Sequence, residues 1–409
     1  MRRACLLLFL SISTRAWQEP QPGLVGRVRQ RMTENLARLP NYTCLETIER
    51  SVHRQVKEKL VFRDRIHFEV GFIEAREMFA WPGSSHFEPD FLQQIPQAGV
   101  SGIGSFGGWT HTLFGPSAPS FNYAGECAAD GRRGFRYNFR VPLSSSAYEI
   151  RFEGHAARSA YAGSLCLDPD ALDVMVLEVR AEQIPLLVAA VSDVIHYGRI
   201  RIGSGEFLLP QQDELTMTDI EGNVNRNLTR FTACRQYASE SSLSFADDPT
   251  AGTVPQGKTR ELKLPGGILL DLKLETPIAS EGSAVGDPVT ARLNRAIEAS
   301  GVSIPKGATA AGRISALEQY YEPEKHFSVG LEFSSLTFAG GRALFHARLV
   351  GPRLAGERRL DSIATGHTHE RGLDIDDSSS RAGAFRVRGG SLRLTRGFHM
   401  IFETQEGNQ

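Results

Sequence analysis

The residues best suited to metal chemistry in this 409-residue sequence lie close together near its C-terminal end. Imidazoles two residues apart on a strand point to the same side and, with a carboxylate, provide the ligand types that zinc takes in hydrolases. The same stretch is strongly polar and runs into three serines, a composition typical of a solvated loop, which we prefer. A zinc hydrolase is the alternative. The residues concerned are His367, His369, Glu370, Asp374, Asp376 and Asp377.

Other catalytic patterns are missing from the sequence. It contains neither the Gly-x-Ser-x-Gly elbow of serine hydrolases nor the His-Glu-x-x-His helix of metalloproteases. Acid pairs such as Glu46 and Glu49 are common by chance, and a glycosidase needs a three-dimensional geometry that spacing does not give. Lys306, within Pro-Lys-Gly, has the context of a turn. We therefore predict a protein that is not an enzyme and that holds no metal or cofactor.

The N-terminal residues indicate export. Arg2 and Arg3 precede an apolar run over residues 4–12, which is too short to span a bilayer and is typical of a secretory signal peptide. We predict that residues 1–16 are this signal and that cleavage follows Ala16. The predicted location is periplasmic or secreted, with no transmembrane segment after cleavage.

Cleavage would remove Cys5 and leave an even number of cysteines. An even count in an exported chain predicts two disulfides, for which three pairings are possible. The preferred pairing joins the two ends of the first domain and, separately, the two cysteines that flank its central strands. Four buried thiols are the alternative. The preferred pairs are Cys44 with Cys234 and Cys127 with Cys166.

Residues 134–179 organise the first half of the chain. They alternate apolar and polar residues with period two, which is typical of an antiparallel sheet with one buried face. Arginines alternate with aromatic residues here, as they do in single-strand nucleic-acid binders. A formal net charge of -1 leaves no basic surplus, so we predict no nucleic-acid partner. Two sets of residues each share one face: Phe135, Tyr137 and Phe139, and Tyr148, Ile150 and Phe152.

Further elements of the first domain precede these strands. Residues 24–39 carry apolar residues at spacings of three and four and predict an amphipathic helix that ends before Pro40. It packs on the sheet or, alternatively, lies on a membrane surface. A strand over residues 59–81 is expected to break near Gly71. The glycine-rich residues 99–109 predict a loop anchored by Trp109, Leu113 and Phe114.

Composition divides the chain into two domains. Residues 238–258 shift to Ser, Asp, Pro, Thr and Gly, and we place a linker at 246–258, between domains at 17–245 and 259–409. The second domain has short alternating segments with glycine turns, which predict a compact β-barrel or sandwich. Asp287-Pro288 suits either a strand start or a helix cap. The predicted fold class is mainly β (α+β), an antiparallel half-barrel with a packed helix followed by this smaller domain.

The first domain resembles the Lol-type lipoprotein-sorting carriers and related periplasmic half-barrels. The features that carry the resemblance are the helix before Tyr-Thr-Cys-Leu-Glu-Thr at 42–47 and the strands Gly-Ser-Leu-Cys-Leu-Asp at 163–168 and Leu-Asp-Val-Met-Val-Leu at 172–177. The resemblance implies strands that wrap an apolar cavity with a helical lid, which takes acyl chains. It places six residues on the ligand-binding face: Phe135, Tyr137, Phe139, Tyr148, Ile150 and Phe152.

The second domain resembles the β-barrel of conjugation TrbI-type proteins. The matching residues are Gly-Gly-Ile-Leu-Leu-Asp-Leu at 266–272, Val-Gly-Asp-Pro-Val at 285–289 and Ile-Pro-Lys-Gly-Ala-Thr-Ala-Ala-Gly-Arg-Ile at 304–314. The resemblance implies a β-barrel module of the cell envelope.

Together these observations predict a secreted or periplasmic protein without enzymatic activity. Its first domain would bind an apolar ligand or a lipoprotein acyl chain, and its second would dock to an envelope protein. The alternative is a structural or interaction module of the envelope whose first domain is filled by its own side chains.

Overall fold

A computed structural model describes most of the chain. It covers residues 21–53, 61–73, 76–84, 87, 91, 108–115, 118–152, 155–182, 184, 187–237, 260–299, 301–322, 324–351, 373–375 and 384–406. The chain is mainly β, with two large sheets and few helices, which confirms the predicted fold class. The predicted signal peptide, the linker at 246–258 and the residues His367 to Glu370 lie outside the described residues and stay predictions.

Two helices lie in the first half of the chain, α1 (Leu24–Arg38) and α2 (Gly108–Phe114). α1 buries Leu24, Val28 and Met32, which recur every four residues and so line one face. It ends just before Pro40, as predicted, because proline disfavours helical backbone in the residue that precedes it. Neither helix in the described part of the chain has the length and apolarity needed to cross a bilayer.

The first sheet curls into a half-barrel of ten antiparallel strands. β1 and β12 come from the two ends of this part of the sequence, yet they are neighbours in the sheet, with Glu46 opposite Phe231. In spatial order the strands are β3 (Arg76–Ala80), β2 (Val61–Ile73), β1 (Tyr42–His53), β12 (Val224–Gln236), β11 (Gly205–Asp219), β10 (Val188–Ile202), β9 (Val174–Ala181), β8 (Tyr161–Leu167), β5 (Arg132–Val141) and β4 (Asn122–Ala129).

The central strands differ from the prediction in one respect. β5 pairs directly with β8, and the residues between them form a separate hairpin of β6 (Glu149–Phe152) and β7 (His155–Arg158). Pro142 ends β5 and a short 3-10 turn, Leu143–Ser145, follows, so the chain leaves the sheet there. The antiparallel sheet expected over residues 134–179 therefore does not include residues 149–158, which form their own hairpin.

The strand predicted over residues 59–81 is divided into β2 and β3, and the division after Ile73 lies near Gly71, as predicted. Gly71 itself lies within β2 and pairs with Met78 of β3. A glycine within a strand often marks a close approach by another residue. A methyl group at Gly71 would lie 3.0 Å from the ring of Phe87.

The second sheet contains ten strands and belongs to the second half of the chain. Its main path, in spatial order, is β13 (Arg260–Lys263), β21 (Gly341–Leu344), β20 (His326–Phe338), β19 (Thr309–Tyr320), β16 (Pro288–Leu293), β14 (Leu269–Leu274), β26 (His399–Gln405) and β22 (His346–Gly351). β24 (Ala384–Arg388) pairs with β20, and β23 (Leu373–Ile375) pairs with β24. Two separate two-stranded ladders lie in the same half of the chain: β15 (Ile278–Ala279) with β25 (Arg393–Leu394), and β17 (Ile297–Ala299) with β18 (Val302–Ile304).

The strand pairings of the second sheet run in a ring. β21 pairs with β20, and the amide of Phe345 donates to the carbonyl of Ser334 at 3.0 Å. One residue later the same segment becomes β22, which pairs with β26. A continuous bent segment therefore closes six strands into a barrel through Phe345. The strand β16 begins at Pro288, so the residues at 287–288 start a strand and do not cap a helix.

The two sheets share one connected set of buried side chains. This set contains Ile66, Phe68 and Trp81 from the half-barrel together with the core of the barrel. Arg313 of β19 lies over the ring of Trp81, 4.4 Å from its centroid. The half-barrel and the barrel are therefore packed against each other through a shared hydrophobic core.

Both disulfides are present, and they have the preferred pairing. Cys44 of β1 is joined to Cys234 of β12, and Cys127 of β4 is joined to Cys166 of β8. The first bond links adjacent strands, whereas the second links two strands that both pair with β5. Two disulfides fit an extracytoplasmic location.

Candidate functional site

The first predicted set of aromatic residues, on β5, lies on the face of the half-barrel that the helices cover. We call it the helix-covered face. Tyr137 and Phe139 of β5 are only 2% and 4% exposed. Phe135, on the same strand, is half-buried, and its ring centroid lies 6.1 Å from that of Tyr123. The period-two pattern thus selected the buried side of β5 correctly.

Side chains of both helices cover this face. Leu24, Val28 and Met32 of α1 and Leu113 of α2 are completely buried in one cluster with Tyr137 and the apolar residues of β8 and β9. Trp109, Leu113 and Phe114 are buried in this cluster as part of α2. Residues 99–107, the rest of the loop that they were predicted to anchor, lie outside the described residues, so that role stays a prediction.

The second predicted set lies on the hairpin beside the sheet. Ile150 of β6 is buried against Val191, Leu215 and Met217 of β10 and β11, and Phe152 packs against the same group. Tyr148 contacts this group and also the cluster beneath the helices. The structure therefore places the six predicted residues in two adjoining clusters that meet at Tyr148.

A row of aromatic rings connects the two clusters. The ring of Phe139 lies 6.3 Å from that of Tyr161, which lies 5.1 Å from Trp109, which in turn lies 5.2 Å from Tyr148. The first two contacts are edge-to-face, a favoured arrangement for aromatic pairs. We refer to Phe139, Tyr161, Trp109 and Tyr148 as the aromatic row.

Two buried carboxylic acids lie at the Trp109 end of the row. Asp193 of β10 is opposite Leu215, and Asp213 of β11 is opposite Ile195, so the two acids are diagonal neighbours on adjacent strands. They are 6% and 3% exposed and are hydrogen-bonded to each other. Two carboxyl groups can share a hydrogen bond only if one of them holds a proton. We call them the acid pair.

The surroundings of the acid pair favour this proton. Burial, then the neighbouring charge and hydrogen bond of Asp213, raise the pKa of Asp193 well above its usual range. The indole of Trp109 and the amide of Val194 donate to Asp193 and act in the opposite direction. The burial effect prevails, so the pair carries its proton at pH values at which exposed carboxyls are ionised.

Further titratable groups surround the pair. Burial also raises the pKa of Glu46 on β1 well above its usual range, and the charges of Glu77 and Asp213 add to this effect. Burial raises the pKa of Tyr197, whose hydroxyl lies 3.3 Å from that of Thr110 in α2. Burial likewise raises the pKa of Tyr148, with added effects from Asp193 and Asp213. The helix-covered face is therefore apolar in one part and acidic in another.

Sequence reasoning missed Asp193 and Asp213, and it named Glu46 only as a member of a chance acid pair. A signal was present, because each stands at a position that the strand alternation assigns to the buried side. Asp193 lies between Val191 and Ile195, and Glu46 lies between Cys44 and Ile48. An acid at an apolar position of an otherwise regular strand marks a buried polar site.

Two clefts in the described part of the chain lie away from the aromatic row. One is a surface cleft of about 340 Å³ between α1 and β11, lined by polar groups that include Arg31, Asp173 and Arg199. The other, of about 250 Å³, lies beside the second disulfide and is lined by Arg136, Ser164 and Glu178. The helix-covered face itself is packed with side chains of the two helices.

Comparisons with known proteins give little beyond this geometry. No family model and no curated protein matches the chain. One solved structure with a partial likeness is a DUF1329 family protein from Desulfovibrio piger, with a TM-score of 0.29 and 12% identity over 54% of this chain and 95% of that one. Another is an outer membrane lipoprotein-sorting protein domain from Vibrio parahaemolyticus, with a TM-score of 0.28 and 11% identity over 53% of this chain and 93% of that one.

TM-scores and identities this low carry no argument about function. The second of these structures is a lipoprotein-sorting domain, the class of protein that the first domain was found to resemble from its sequence. Neither comparison tests the resemblance of the second domain to conjugation barrels, which stays a prediction.

Proposed function

We propose that the protein is a non-enzymatic extracytoplasmic binding protein whose half-barrel holds an apolar chain between its aromatic face and the two helices. The observation that supports this best is the nature of the cover. Tyr137, Phe139 and Tyr161 are buried under two short helical segments and not under a second sheet. Helical segments can be displaced without breaking the strand pairings of the sheet.

The energetics are compatible with a ligand replacing α1 on the aromatic face. A ligand that took the place of α1 would restore the burial of the aromatic face, at about 25 cal/mol for each Å² of apolar surface removed from water. α1 is held to the sheet partly by the side chain of Asn35, which exchanges two hydrogen bonds with the backbone of Leu208, at 3.1 and 3.2 Å. Each hydrogen bond of this kind makes a net contribution of about 1 kcal/mol to stability.

The test is a titration of the purified protein with a fluorescent fatty-acid probe. Met32→Ala, beneath the helix, removes apolar volume from the cover and is expected to increase probe affinity. Thr33→Ala, on the exposed side of the same helix, is the matched control and is expected to leave it unchanged. Absence of probe binding to the wild type and to Met32→Ala would exclude the proposal.

A structural module with a filled core is the second candidate function. It is favoured by the complete burial of Leu24, Val28 and Met32, which leaves the aromatic face occupied. Native mass spectrometry of the protein purified without detergent separates the two. A bound lipid-sized mass supports the binding protein, whereas a bare mass together with failure to bind the probe supports the filled core.

The second domain is proposed to dock an envelope protein. Among the described residues, β13 and β23 each pair with a single strand and present one unpaired edge, the kind of feature to which an extended segment can add. Crosslinking from a photoreactive residue at Glu261 of β13 tests this, with the exposed Lys306 in a distant turn as the control position. Equal crosslinking from both positions would count against docking at β13.

A further inference from the structure

The surface cleft between α1 and β11 adjoins the apolar cluster beneath the helices. Met32 of α1 and Leu208 of β11 are among the residues that line the cleft, and both also belong to that cluster. These two side chains, one on each wall, are therefore shared by a polar cleft and an apolar interior. A chain held between the aromatic face and α1 can pass between Met32 and Leu208 and bring its polar end into this cleft, which we call the α1 cleft.

One ion pair of the α1 cleft is already complete. Asp173 is 2% exposed and accepts two hydrogen bonds from Arg199, from Nε to Oδ2 at 3.1 Å and from Nη2 to Oδ1 at 2.8 Å. Two parallel bonds between a guanidinium and a carboxylate fix the orientation of both groups. Arg132, which lies 4.0 Å from the same carboxylate, is itself paired with Asp168 at 3.2 Å. These groups sum to no net charge.

The other charged side chains that line the cleft are not paired in this way. Arg31 and Arg38 of α1 have no ion pair and no side-chain hydrogen bond within the described part of the chain. Glu34, on the same helix, accepts a hydrogen bond from a neutral side-chain amide at 3.0 Å. The side chain of Glu206 on β11 is 58% exposed, and its ion-pair contact is with the already committed Arg199, at 3.8 Å. Two cations and two anions are therefore left, and their charges sum to zero.

Charges of both signs in one cleft favour a ligand that carries both. A head group with a single negative charge would bind the arginines of α1 but would also approach the carboxylates of Glu34 and Glu206. A head group with a single positive charge would meet the reverse problem. A zwitterion can place its anion on the arginines and its cation on a carboxylate, so that each of its charges gains a charge-assisted hydrogen bond.

We propose that the α1 cleft binds the phosphoethanolamine head group of a lipid whose acyl chain lies between the aromatic face and α1. This inference rests on the proposed function and specifies its ligand class. The phosphate accepts hydrogen bonds from Arg31 and Arg38, and the ammonium donates to Glu206 on the opposite wall. No aromatic ring is among the described residues that line the cleft. A quaternary ammonium, which donates no hydrogen bond, would therefore lack the cation–π contacts by which such groups are held.

The experiment is displacement of the neutral dye N-phenyl-1-naphthylamine by three single-chain lipids that share a lauroyl chain, each below its aggregation concentration. Their head groups are phosphoethanolamine, phosphocholine and phosphoglycerol. We expect the first lipid to bind about fivefold more tightly than either of the others, as one exposed ion pair can provide. Free phosphoethanolamine, which has no chain, should bind far more weakly than the lipid because it buries no apolar surface.

Variants of opposite charge sharpen the test. Glu206→Gln should weaken binding of the phosphoethanolamine lipid and strengthen binding of the anionic phosphoglycerol lipid, because the same carboxylate attracts one head group and repels the other. Arg31→Gln combined with Arg38→Gln should weaken binding of both lipids. Arg27→Gln is the matched control, since it removes the same charge from the same helix outside the cleft, and it should leave all three affinities unchanged.

The outcomes separate this inference from the proposed function. If none of the three lipids displaces the dye, the proposed function fails and this inference fails with it. If the wild type binds all three equally, the inference is overturned while binding of an apolar chain stands. A Glu206→Gln variant that shifts the phosphoethanolamine and phosphoglycerol lipids in the same direction also overturns it. Free phosphoethanolamine that binds as tightly as its lipid would show a site for the head group alone and would overturn it as well.

Discussion

Ile66 of the half-barrel and Val285 of the second domain are paired across a parallel backbone bridge. The amide of His67 donates to the carbonyl of Val285 at 2.8 Å, and the amide of Val285 donates to the carbonyl of Arg65 at 2.9 Å. β3 pairs only with the last part of β2, so this loop occupies the free edge of β2 that remains. The two domains are thus joined by main-chain hydrogen bonds as well as by side-chain packing.

Gly286 is expected to be essential to this junction. Its φ of +96° is a conformation that side chains disfavour, and a methyl group there would lie 2.2 Å from the carbonyl oxygen of His67. Gly286→Ala should lower the free energy of unfolding by about 1–3 kcal/mol, measured in urea. Gly282→Ala, a few residues away with open space around it, is the control. Equal stability of the two variants would contradict the importance of the junction.

The Arg50–Asp64 ion pair gives a second prediction. Both side chains are buried, at 3% and 0% exposure, and Arg50 Nε donates to Asp64 Oδ1 at 2.6 Å. Asp64→Asn removes the carboxylate that Arg50 pairs with directly and should cost about 3–5 kcal/mol in unfolding free energy. The double variant Arg50→Met with Asp64→Leu removes both charges and should recover much of that loss. A double variant as unstable as the single one would show that the pair itself supplies the stability.

Stability is expected to fall as the pH rises above about 4, the ordinary pKa range of carboxyls. The pKa values of Glu46 and Asp193 are raised in the folded state, so between the unfolded and folded values the folded protein holds more protons. Each extra proton costs about 1.4 kcal/mol of stability per pH unit over that interval. Urea midpoints should be higher in mild acid than at neutral pH, and Glu46→Gln should flatten the difference. An unchanged slope in that variant would refute the assignment.

The Cys44–Cys234 disulfide should be worth more than the Cys127–Cys166 disulfide. In the chain-entropy view a crosslink stabilises by restricting the unfolded chain, and the first spans 190 residues whereas the second spans 39. Replacing either pair with alanine should cost about 2–4 kcal/mol, with the larger loss for the long loop. Thermal unfolding of the two alanine pairs measures the order, and the reverse order would show that native-state effects dominate.

Much of the architecture could be predicted from the sequence. The four-residue spacing of Leu24, Val28 and Met32 identified α1, and strict alternation identified the buried side of β5. The positions of the cysteines near the ends of the first domain led to the pairing found in the structure. The helix and strand signals are local. The cysteine signal requires only that the two ends of the first domain meet, and the packing of other elements does not change either kind of signal.

Other features depend on contacts that no local pattern reports. β6 has the alternation of a sheet strand, yet Pro142 and the turn after it place β6 in a separate hairpin. β2 continues past Gly71 to Ile73, and the reason for the glycine is a close approach by Phe87. The strand alternation places Asp193 and Asp213 on the buried side, but their proximity becomes visible only when β10 and β11 are paired in register. The bridge between Ile66 and Val285 joins residues far apart in sequence.

The position of β1 between β2 and β12 also has a consequence for the order of events during synthesis. β2 follows β1 directly and can pair with it at once, whereas β12 is made only after the eight intervening strands of the sheet. One edge of β1 must wait for its partner and stays available to other strands during that interval. Formation of the Cys44–Cys234 bond therefore marks the moment at which the half-barrel is complete, and a nascent chain released before β12 would carry an unsatisfied edge and a free thiol.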